Sequence, residues 1–159
     1  MNSEARVLIT GCGGMLGDAM YATFCSSYQH VRATDIDLNE PWLSRLDVRD
    51  LAECERAFAE FRPTLVLHLA ALTDLEYCET HQDDCWKTNA LGVENIALLA
   101  REHDVTMVYV STAGIYAGNQ DEFHDFDLPN PLSHYGRSKY YGEQFVERHV
   151  PKHFCLRAG

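Results

Sequence analysis

The sequence predicts an α/β protein with a doubly wound parallel sheet, and three observations support this fold class. Short apolar runs alternate with longer segments of helical periodicity. A glycine-rich turn separates the first apolar run from the first helical segment. The run 64–70 is apolar almost throughout, which is typical of a central parallel strand covered by helices on both faces. The 159 residues are enough for one domain, which we expect to span 1–159.

The first part of the chain predicts two strands and two helices. The apolar run 6–10 predicts the first strand, and the glycine-rich turn after it leads into a helix over about 14–27. The segment 30–35 predicts the second strand. Apolar residues at helical spacing predict a helix over 51–61, which an arginine–proline pair ends because proline restricts the residue before it.

The second part predicts three strands and two helices. The third strand is the apolar run 64–70, and a long helix follows over about 83–102. The segment 106–112 predicts the fourth strand. A polar loop containing proline then leads into a helix over about 133–148, and the segment 153–157 predicts the fifth strand.

Right-handed crossovers between these parallel strands predict the order of the sheet. We expect the five strands to lie in the order 3-2-1-4-5. In such sheets a ligand binds at the carboxyl ends of the strands, where the winding direction reverses. The expected crevice therefore lies at the carboxyl ends of the first and fourth predicted strands.

The composition argues against several classes of protein. A net charge of −11 disfavours contact with a nucleic-acid backbone or an anionic membrane surface. The longest apolar runs, such as 64–72, are too short to span a bilayer. The N-terminal segment shows no basic leader followed by an apolar stretch. We therefore expect a cytoplasmic protein with neither a nucleic-acid nor a membrane partner.

The six cysteines have no CxxC spacing, and we interpret them as reduced thiols. Cys78, His81 and Cys85 are the one group that invites comparison with a metal site. Their spacing does not match a zinc site, and a fourth ligand is not evident. No metal is therefore predicted.

The glycine-rich turn predicts a nucleotide site. Its glycines recur at three-residue spacing between the first strand and the first helix. Glycine lets backbone N–H groups approach a pyrophosphate, and the positive end of the helix stabilises the phosphate charge. The alternative is a turn that only redirects the chain. The residues predicted to contact the cofactor here are Gly11, Gly13, Gly14, Met15, Leu16 and Gly17.

Acidic residues after the second strand predict how the adenosine end is recognised. Asp35 lies 18 residues after Gly17, where a carboxylate can accept hydrogen bonds from a free ribose 2′-OH and repel a 2′-phosphate. NAD is therefore favoured over NADP. Asp37 competes for this role, and a solvated loop acid is the alternative for Asp35.

Two residues further along predict a contact with the adenine. Asp47 and Val48 lie in the loop before the second helix, close to the predicted nucleotide site. Asp47 could equally be the N-cap of that helix, because aspartate is a preferred capping residue.

The segment 131–144, PLSHYGRSKYYGEQ, predicts a proton-transfer pair. Tyr135 and Lys139 are four residues apart, so they share one face of a helix. A phenol with a pKa near ~10 is a poor base, and a fixed ammonium ion nearby favours the phenolate. Ser111 and Thr112 end the neighbouring strand and could supply a hydroxyl. The same spacing also fits the surface of an amphipathic helix.

Five motifs together carry a family resemblance. TGCGGMLG, HLAALTDLEYCE, NALGVENIALLA, VYVSTAGIYAG and PLSHYGRSKYYGE occur in the order found in extended short-chain dehydrogenases/reductases. The chain most resembles the branch of dTDP-4-dehydrorhamnose reductases and related nucleotide-sugar epimerases and dehydratases. The resemblance implies a Rossmann domain that binds NAD or NADP, with a nucleotide-sugar as substrate, and it is compatible with a homodimer. It further implies hydride transfer to a nucleotide-linked 4-keto sugar.

The resemblance also implies the roles of the site residues. Tyr135 would be the catalytic acid/base, and Lys139 would lower its pKa and bind the nicotinamide ribose. Thr112 would polarise the substrate carbonyl, because it keeps the spacing of the family to the sequence IYAG. Ser111 would then be a structural residue at the end of its strand.

Other positions take supporting roles in the same resemblance. Ala70 and Ala71 would lie against the cofactor, as small residues that permit close approach. Leu69 belongs to the same stretch, although an aliphatic residue there also suits the core. Asn89 would support the backbone of the active site, with a polar residue on the helix surface as the alternative.

The sequence leaves two alternatives open. The residue after the Ser–Thr pair is acidic in the reductase branch and is Ala113 here, so epimerase chemistry stays possible. The branch also includes a non-catalytic regulatory subunit of methionine adenosyltransferase, although the complete Thr112, Tyr135 and Lys139 set favours an enzyme. Members of the branch are about twice as long, and we expect their C-terminal substrate-binding part to be missing from these residues.

Overall fold

The computed structural model describes residues 4–159 and shows six parallel strands. They are paired in the spatial order β3-β2-β1-β4-β5-β6, with every neighbouring pair parallel. In chain order the strands are β1 (Arg6–Thr10), β2 (His30–Asp35), β3 (Leu43–Arg45), β4 (Leu65–His68), β5 (Thr106–Thr112) and β6 (His153–Ala158).

Helices connect the strands on both faces of the sheet. They are α1 (Gly17–Ser27), α2 (Leu51–Phe61), α3 (Leu75–Thr80), α4 (Gln82–Trp86), α5 (Gly92–Glu102) and α6 (His134–His149). A π-helical turn over Lys87–Leu91 joins α4 to α5, and a 3-10 turn over Ala113–Ile115 follows β5. The doubly wound α/β class is confirmed.

The predicted order of the five strands is wrong. The sequence analysis did not predict β3, and it therefore placed the strand 64–70 beside the second strand. The numerical order 3-2-1-4-5 holds only when Leu43–Arg45 is counted as the third strand. The predicted third strand, 64–70, is observed as β4 and pairs directly with β1. The winding therefore reverses between β1 and β4. Three residues are too few for a periodic pattern, so pairing with β2 defines β3.

The predicted long helix over 83–102 is also interrupted. The π-helical turn lies in its middle, and α3 precedes it as a separate helix that was not predicted. Asp74 caps α3 by accepting a hydrogen bond from the Tyr77 N–H at 2.9 Å. A helix of six residues is shorter than the window in which periodicity can be recognised.

Two apolar layers cover the sheet. Val7 and Ile9 of β1 face the layer that α1 covers, where Phe24 packs. Leu8 faces the opposite layer, which α2, α5 and α6 cover and which contains Phe58. This alternation follows from the period of two in a β-strand.

Membrane-spanning helices, metal clusters and cysteines can each be assessed over the described part of the chain. Within residues 4–159, no helix is both long and apolar enough to cross a membrane. No cluster of three or more His, Cys, Asp or Glu side chains in the same range is arranged to hold a metal ion. The cysteines are free thiols, and four of them are buried.

The start of α1 depends on close packing at Gly17. A Cβ atom at this position would lie 1.6 Å from the Cys12 carbonyl oxygen, which is part of the backbone. The Gly17 N–H donates to the Gly14 carbonyl at 2.9 Å, which closes the turn. At Gly14 a Cβ atom would meet its nearest neighbour at an ordinary 3.5 Å.

We therefore expect Gly17→Ala to lower the free energy of unfolding by about 1–3 kcal/mol, since the backbone must move to admit the methyl group. Gly14→Ala is the matched control and should change stability far less. Urea unfolding of the two variants measures the difference. Equal midpoints would contradict the packing role of Gly17.

Candidate functional site

A cavity of about 560 Å³ opens at the carboxyl ends of β1, β2 and β4. The predicted crevice thus exists, but β4 rather than the strand 106–112 forms its second wall. Eleven of the predicted cofactor residues line it: Gly11, Gly13, Gly14, Met15, Leu16, Asp35, Asp47, Val48, Leu69, Ala70 and Ala71. Gly17, Asn89, Tyr135 and Lys139 do not.

The glycine loop is held close to the neighbouring strand. Gly11 has a φ of 71°, and a Cβ atom there would lie 2.3 Å from the Ala70 Cα atom. Only glycine fits where positive φ and close approach coincide. The Asn39 side-chain amide donates to the Gly13 carbonyl at 3.1 Å and holds the far side of the loop.

Asp35 joins the glycine loop to the end of β2. Its carboxylate accepts hydrogen bonds from the Gly13 N–H at 2.8 Å and from the Asp37 N–H at 3.0 Å. Asp35 is half-buried in the cavity wall, whereas Asp37 is exposed at its edge. Arg32 points elsewhere, because its guanidinium pairs with Glu60 at 3.4 Å.

Asp47 is held by ion pairing and is not a helix cap. Arg49 donates to its carboxylate from Nε at 2.9 Å and from Nη2 at 2.7 Å, and this interaction lowers the pKa of Asp47. The N-cap of α2 is Asp50, which accepts from the Glu53 N–H at 3.1 Å. Asp47 and Arg49 thus form a fixed pair in the cavity wall.

Sequence reasoning missed several residues that line the same cavity. Most follow β2, β3 or β4, where the carboxyl ends of parallel strands place loop residues around a ligand, and one lies in the π-helical turn. Assigning β3 would have pointed to some of them. The missed residues are Ile36, Asn39, Leu46, Arg49, Leu72, Thr73 and Thr88.

The predicted hydroxyl and phenol lie at the carboxyl end of the next strand. Thr112 ends β5, and its hydroxyl accepts a hydrogen bond from the Gly114 N–H at 3.0 Å. Tyr135, in the first turn of α6, is half-buried. Burial raises the pKa of Tyr135, and interaction with the Thr112 side chain acts in the opposite direction. Without bound ligand the phenol is therefore protonated at neutral pH.

Lys139 lies on the buried face of α6. It is 2 % exposed, donates from Nζ to the Val110 carbonyl at 2.7 Å, and lies 4.3 Å from the centre of the Tyr109 ring. Burial lowers the pKa of Lys139 to about 7. The expected lowering of the pKa of Tyr135 by Lys139 is not found here: burial is the largest cause of the shift and raises this pKa, and Lys139 is not among its causes.

Asn89 is buried rather than on the helix surface. Its side-chain amide accepts from the Leu72 N–H at 2.8 Å and donates to the Leu72 carbonyl at 2.9 Å. It also donates to the Ser138 hydroxyl at 3.1 Å. Asn89 thus connects the π-helical turn, the cavity loop and α6. Ser111 is also buried, and its hydroxyl has no hydrogen-bond partner among the described residues.

The fold and these groups define a class of protein. A sheet that reverses its winding at a glycine loop, with a tyrosine and a lysine four residues apart beside the next strand, is the arrangement of the extended short-chain dehydrogenases/reductases. A family model described as RmlD substrate binding domain matches residues 5–159. The chain belongs to this family.

Curated relatives include proteins of two kinds. The methionine adenosyltransferase 2 subunit beta of Xenopus tropicalis is 30 % identical over 89 % of this chain and 42 % of its own length. The dTDP-4-dehydrorhamnose reductase of Aggregatibacter actinomycetemcomitans is 29 % identical over 96 % of this chain and 50 % of its own. The chain therefore spans about half the length of these relatives.

Solved structures show the same likeness. The dTDP-4-dehydrorhamnose reductase of Bacillus anthracis, in complex with NADP, is 31 % identical with a TM-score of 0.88 over 99 % of this chain and 55 % of its own. The Bordetella bronchiseptica enzyme WbmG, in complex with NAD and UDP, is 28 % identical with a TM-score of 0.84 over 96 % of this chain and 52 % of its own.

We expect Asn89→Ala to lower the free energy of unfolding by about 2–3 kcal/mol, because both polar backbone groups of Leu72 lose their partner. Asn95→Ala is the control. Asn95 donates one hydrogen bond, to the Val48 carbonyl at 2.9 Å, and its loss should cost about 1 kcal/mol. Chemical denaturation compares the two variants. If Asn89→Ala lowers the free energy of unfolding no more than Asn95→Ala does, Asn89 does not stabilise the loop at Leu72 as proposed.

Proposed function

We propose that the protein containing these residues is an NAD(P)-dependent reductase of a nucleotide-linked 4-keto sugar. The arrangement that carries the proposal is the Thr112–Tyr135 pair at the carboxyl end of β5, with Lys139 one turn further along α6. Membership of the RmlD family and the reductases among its relatives support the choice of substrate. Because the chain covers about half the length of those relatives, the complete activity is part of the proposal.

The cavity has the groups that a dinucleotide requires. The glycine loop offers backbone N–H groups at the start of α1, where a pyrophosphate is stabilised. Gly11, Ala70 and Ala71 line the cavity with small side chains or none, which leaves room for a flat ring system. Asp47 and Val48 would border the adenine. When bound, the nicotinamide would supply or take up the hydride.

In this proposal the protein handles the proton. In the direction of reduction, Tyr135 gives its phenolic proton to the carbonyl oxygen as the hydride reaches the carbonyl carbon. Its raised pKa favours this acid role, since the phenol holds its proton at neutral pH. Thr112 donates a hydrogen bond to the same oxygen and stabilises its developing charge. Protonated Lys139 would then stabilise the phenolate that remains.

Tyr135→Phe should lower kcat by about 100-fold or more, because the proton donor is lost. The affinity for NADH should stay within about threefold, as the fluorescence of bound NADH reports. Tyr140→Phe is the matched control, since Tyr140 follows Lys139 on α6 and has no part in the proton transfer. The assay uses the full-length protein with a 4-keto nucleotide-sugar. Full activity in Tyr135→Phe would exclude the proton role.

Cofactor consumption separates a reductase from an epimerase of the same class. A reductase consumes one NAD(P)H for each sugar reduced, whereas an epimerase returns the hydride and leaves the cofactor unchanged. Ala113, in place of the acidic residue of the reductase branch, keeps the epimerase as the alternative. Absorbance at the nicotinamide band during turnover decides between them.

We further propose that the cofactor is NAD rather than NADP. The negative charge of Asp35 lies in the cavity wall, where it would repel a 2′-phosphate. Arg32, the nearby cation that could offset this charge, is paired with Glu60. The relatives do not decide the matter, because NADP is bound in one and NAD in another.

Asp35→Asn should reduce the preference for NADH over NADPH by about 10-fold, since one repulsive charge is lost while an acceptor for the Gly13 N–H is kept. Asp37→Asn tests the competing acid and should change the ratio less. Titration of both cofactors measures the two dissociation constants. A larger effect from Asp37→Asn would assign the role to Asp37 instead.

A regulatory subunit is the second candidate function. The observation that favours it is the similarity to the methionine adenosyltransferase 2 subunit beta of several vertebrates. Such a protein would bind NAD(H) tightly, convert no keto-sugar nucleotide, and change the activity of a partner enzyme. The turnover assay described above separates the two functions.

A further inference from the structure

The face of α6 that carries Tyr135 and Lys139 continues one turn further to Glu143. The three residues recur at four-residue spacing, so they share this face. Glu143 is completely buried, and Lys139 is 2 % exposed. Two buried charges of opposite sign, one turn apart and next to a half-buried phenol, are costly unless each has a partner.

Glu143 has its partner on β6. Arg157 donates to the Glu143 carboxylate from Nε to Oε1 at 3.1 Å and from Nη2 to Oε2 at 2.9 Å. The guanidinium also donates from Nη1 to the Tyr116 hydroxyl at 2.6 Å and to the Asp125 carbonyl at 3.2 Å. This two-point geometry holds the carboxylate in place.

Lys139 has no carboxylate in hydrogen-bond contact with its ammonium group, whose one hydrogen bond among the described residues goes to the Val110 carbonyl. Burial disfavours the charged form of Lys139, and the negative charge of Glu143 favours it. The titratable groups that face Lys139 come from five elements. They are His68 on β4, Cys85 on α4, Tyr109 on β5, Cys155 on β6, and Tyr135 and Glu143 on α6.

Glu143 is the one carboxylate of this set. Burial lowers the pKa of His68 to about 3, so its ring is neutral. Burial raises the pKa of Tyr109, and it raises that of Cys155 to about 12, so both hold their protons. Burial is the largest influence on the pKa of Lys139, and among the charged neighbours Glu143 opposes it most strongly.

We propose that Glu143, fixed by Arg157, is a positioning residue that keeps Lys139 as an ammonium ion one helical turn from Tyr135. The catalytic consequence rests on the proposed function, whereas the charge of Lys139 can be measured without it. The ammonium form is present below the pKa of Lys139 and is lost as pH rises through it. Removal of the Glu143 charge lowers this pKa, so the ammonium form is lost at lower pH.

The chain has three lysines, so ¹³C labelling at lysine Cε gives three signals, and Lys139→Arg identifies that of Lys139. We expect Glu143→Gln to lower the titration midpoint of this signal by about one pH unit. Glu147→Gln is the matched control, because Glu147 is an exposed acid one turn further along α6, and it should leave the midpoint unchanged. An unchanged midpoint in a folded Glu143→Gln variant overturns the proposal.

Glu143→Asp keeps the test valid if Glu143→Gln does not fold. The shorter side chain retains its charge but lies farther from Lys139, so we expect a smaller downward shift. An unchanged midpoint in Glu143→Asp then overturns the proposal.

The pH dependence of kcat/KM for NADH and a 4-keto nucleotide-sugar tests the catalytic part. In Glu143→Gln the alkaline limb should move to lower pH by the same amount as the NMR midpoint. A midpoint that moves while the limb stays in place refutes the positioning role in catalysis. A shifted midpoint in a protein without turnover supports the charge coupling and refutes the proposed function.

Discussion

The close approach of two backbone segments, at Gly11 and Ala70, is the constraint on which the site depends. β1 and β4 are neighbours in the sheet, and the chain leaves their carboxyl ends in different directions. A side chain at Gly11 would collide with the Ala70 backbone. Because no side chain fills this point, the cavity can form between the two loops and the end of β2.

The second feature of the site is a group of buried polar side chains between α6 and the sheet. Lys139, Glu143 and His68 lie on the face of the sheet that α5 and α6 cover. An apolar layer here would cost less to bury, since charged groups lose their hydration. The arrangement places an ammonium ion of altered acidity beside a phenol, which is useful to an enzyme that moves a proton.

The similarity to known proteins and the geometry of the site support different conclusions about the protein. The match to the RmlD family covers residues 5–159. It therefore includes the sheet, the residues that line the cavity, and the group of Thr112, Tyr135 and Lys139. The relatives are about twice as long and include both enzymes and regulatory subunits. The described residues provide a cavity suited to a dinucleotide and a candidate acid/base group. The proposed reductase and the regulatory subunit differ in whether that group acts on a substrate.

The sequence by itself determined the α/β class, the glycine loop and the Tyr135–Lys139 spacing, because local periodicity and short motifs encode them. It could not determine the place of β3, since three residues become a strand only through pairing with β2. The burial of Asn89 and the π-helical turn that carries it likewise depend on contacts distant in the chain. The acidities of Tyr135 and Lys139 were decided only by the tertiary structure, because burial is the largest cause of both pKa shifts and depends on how α6 packs against the rest of the fold.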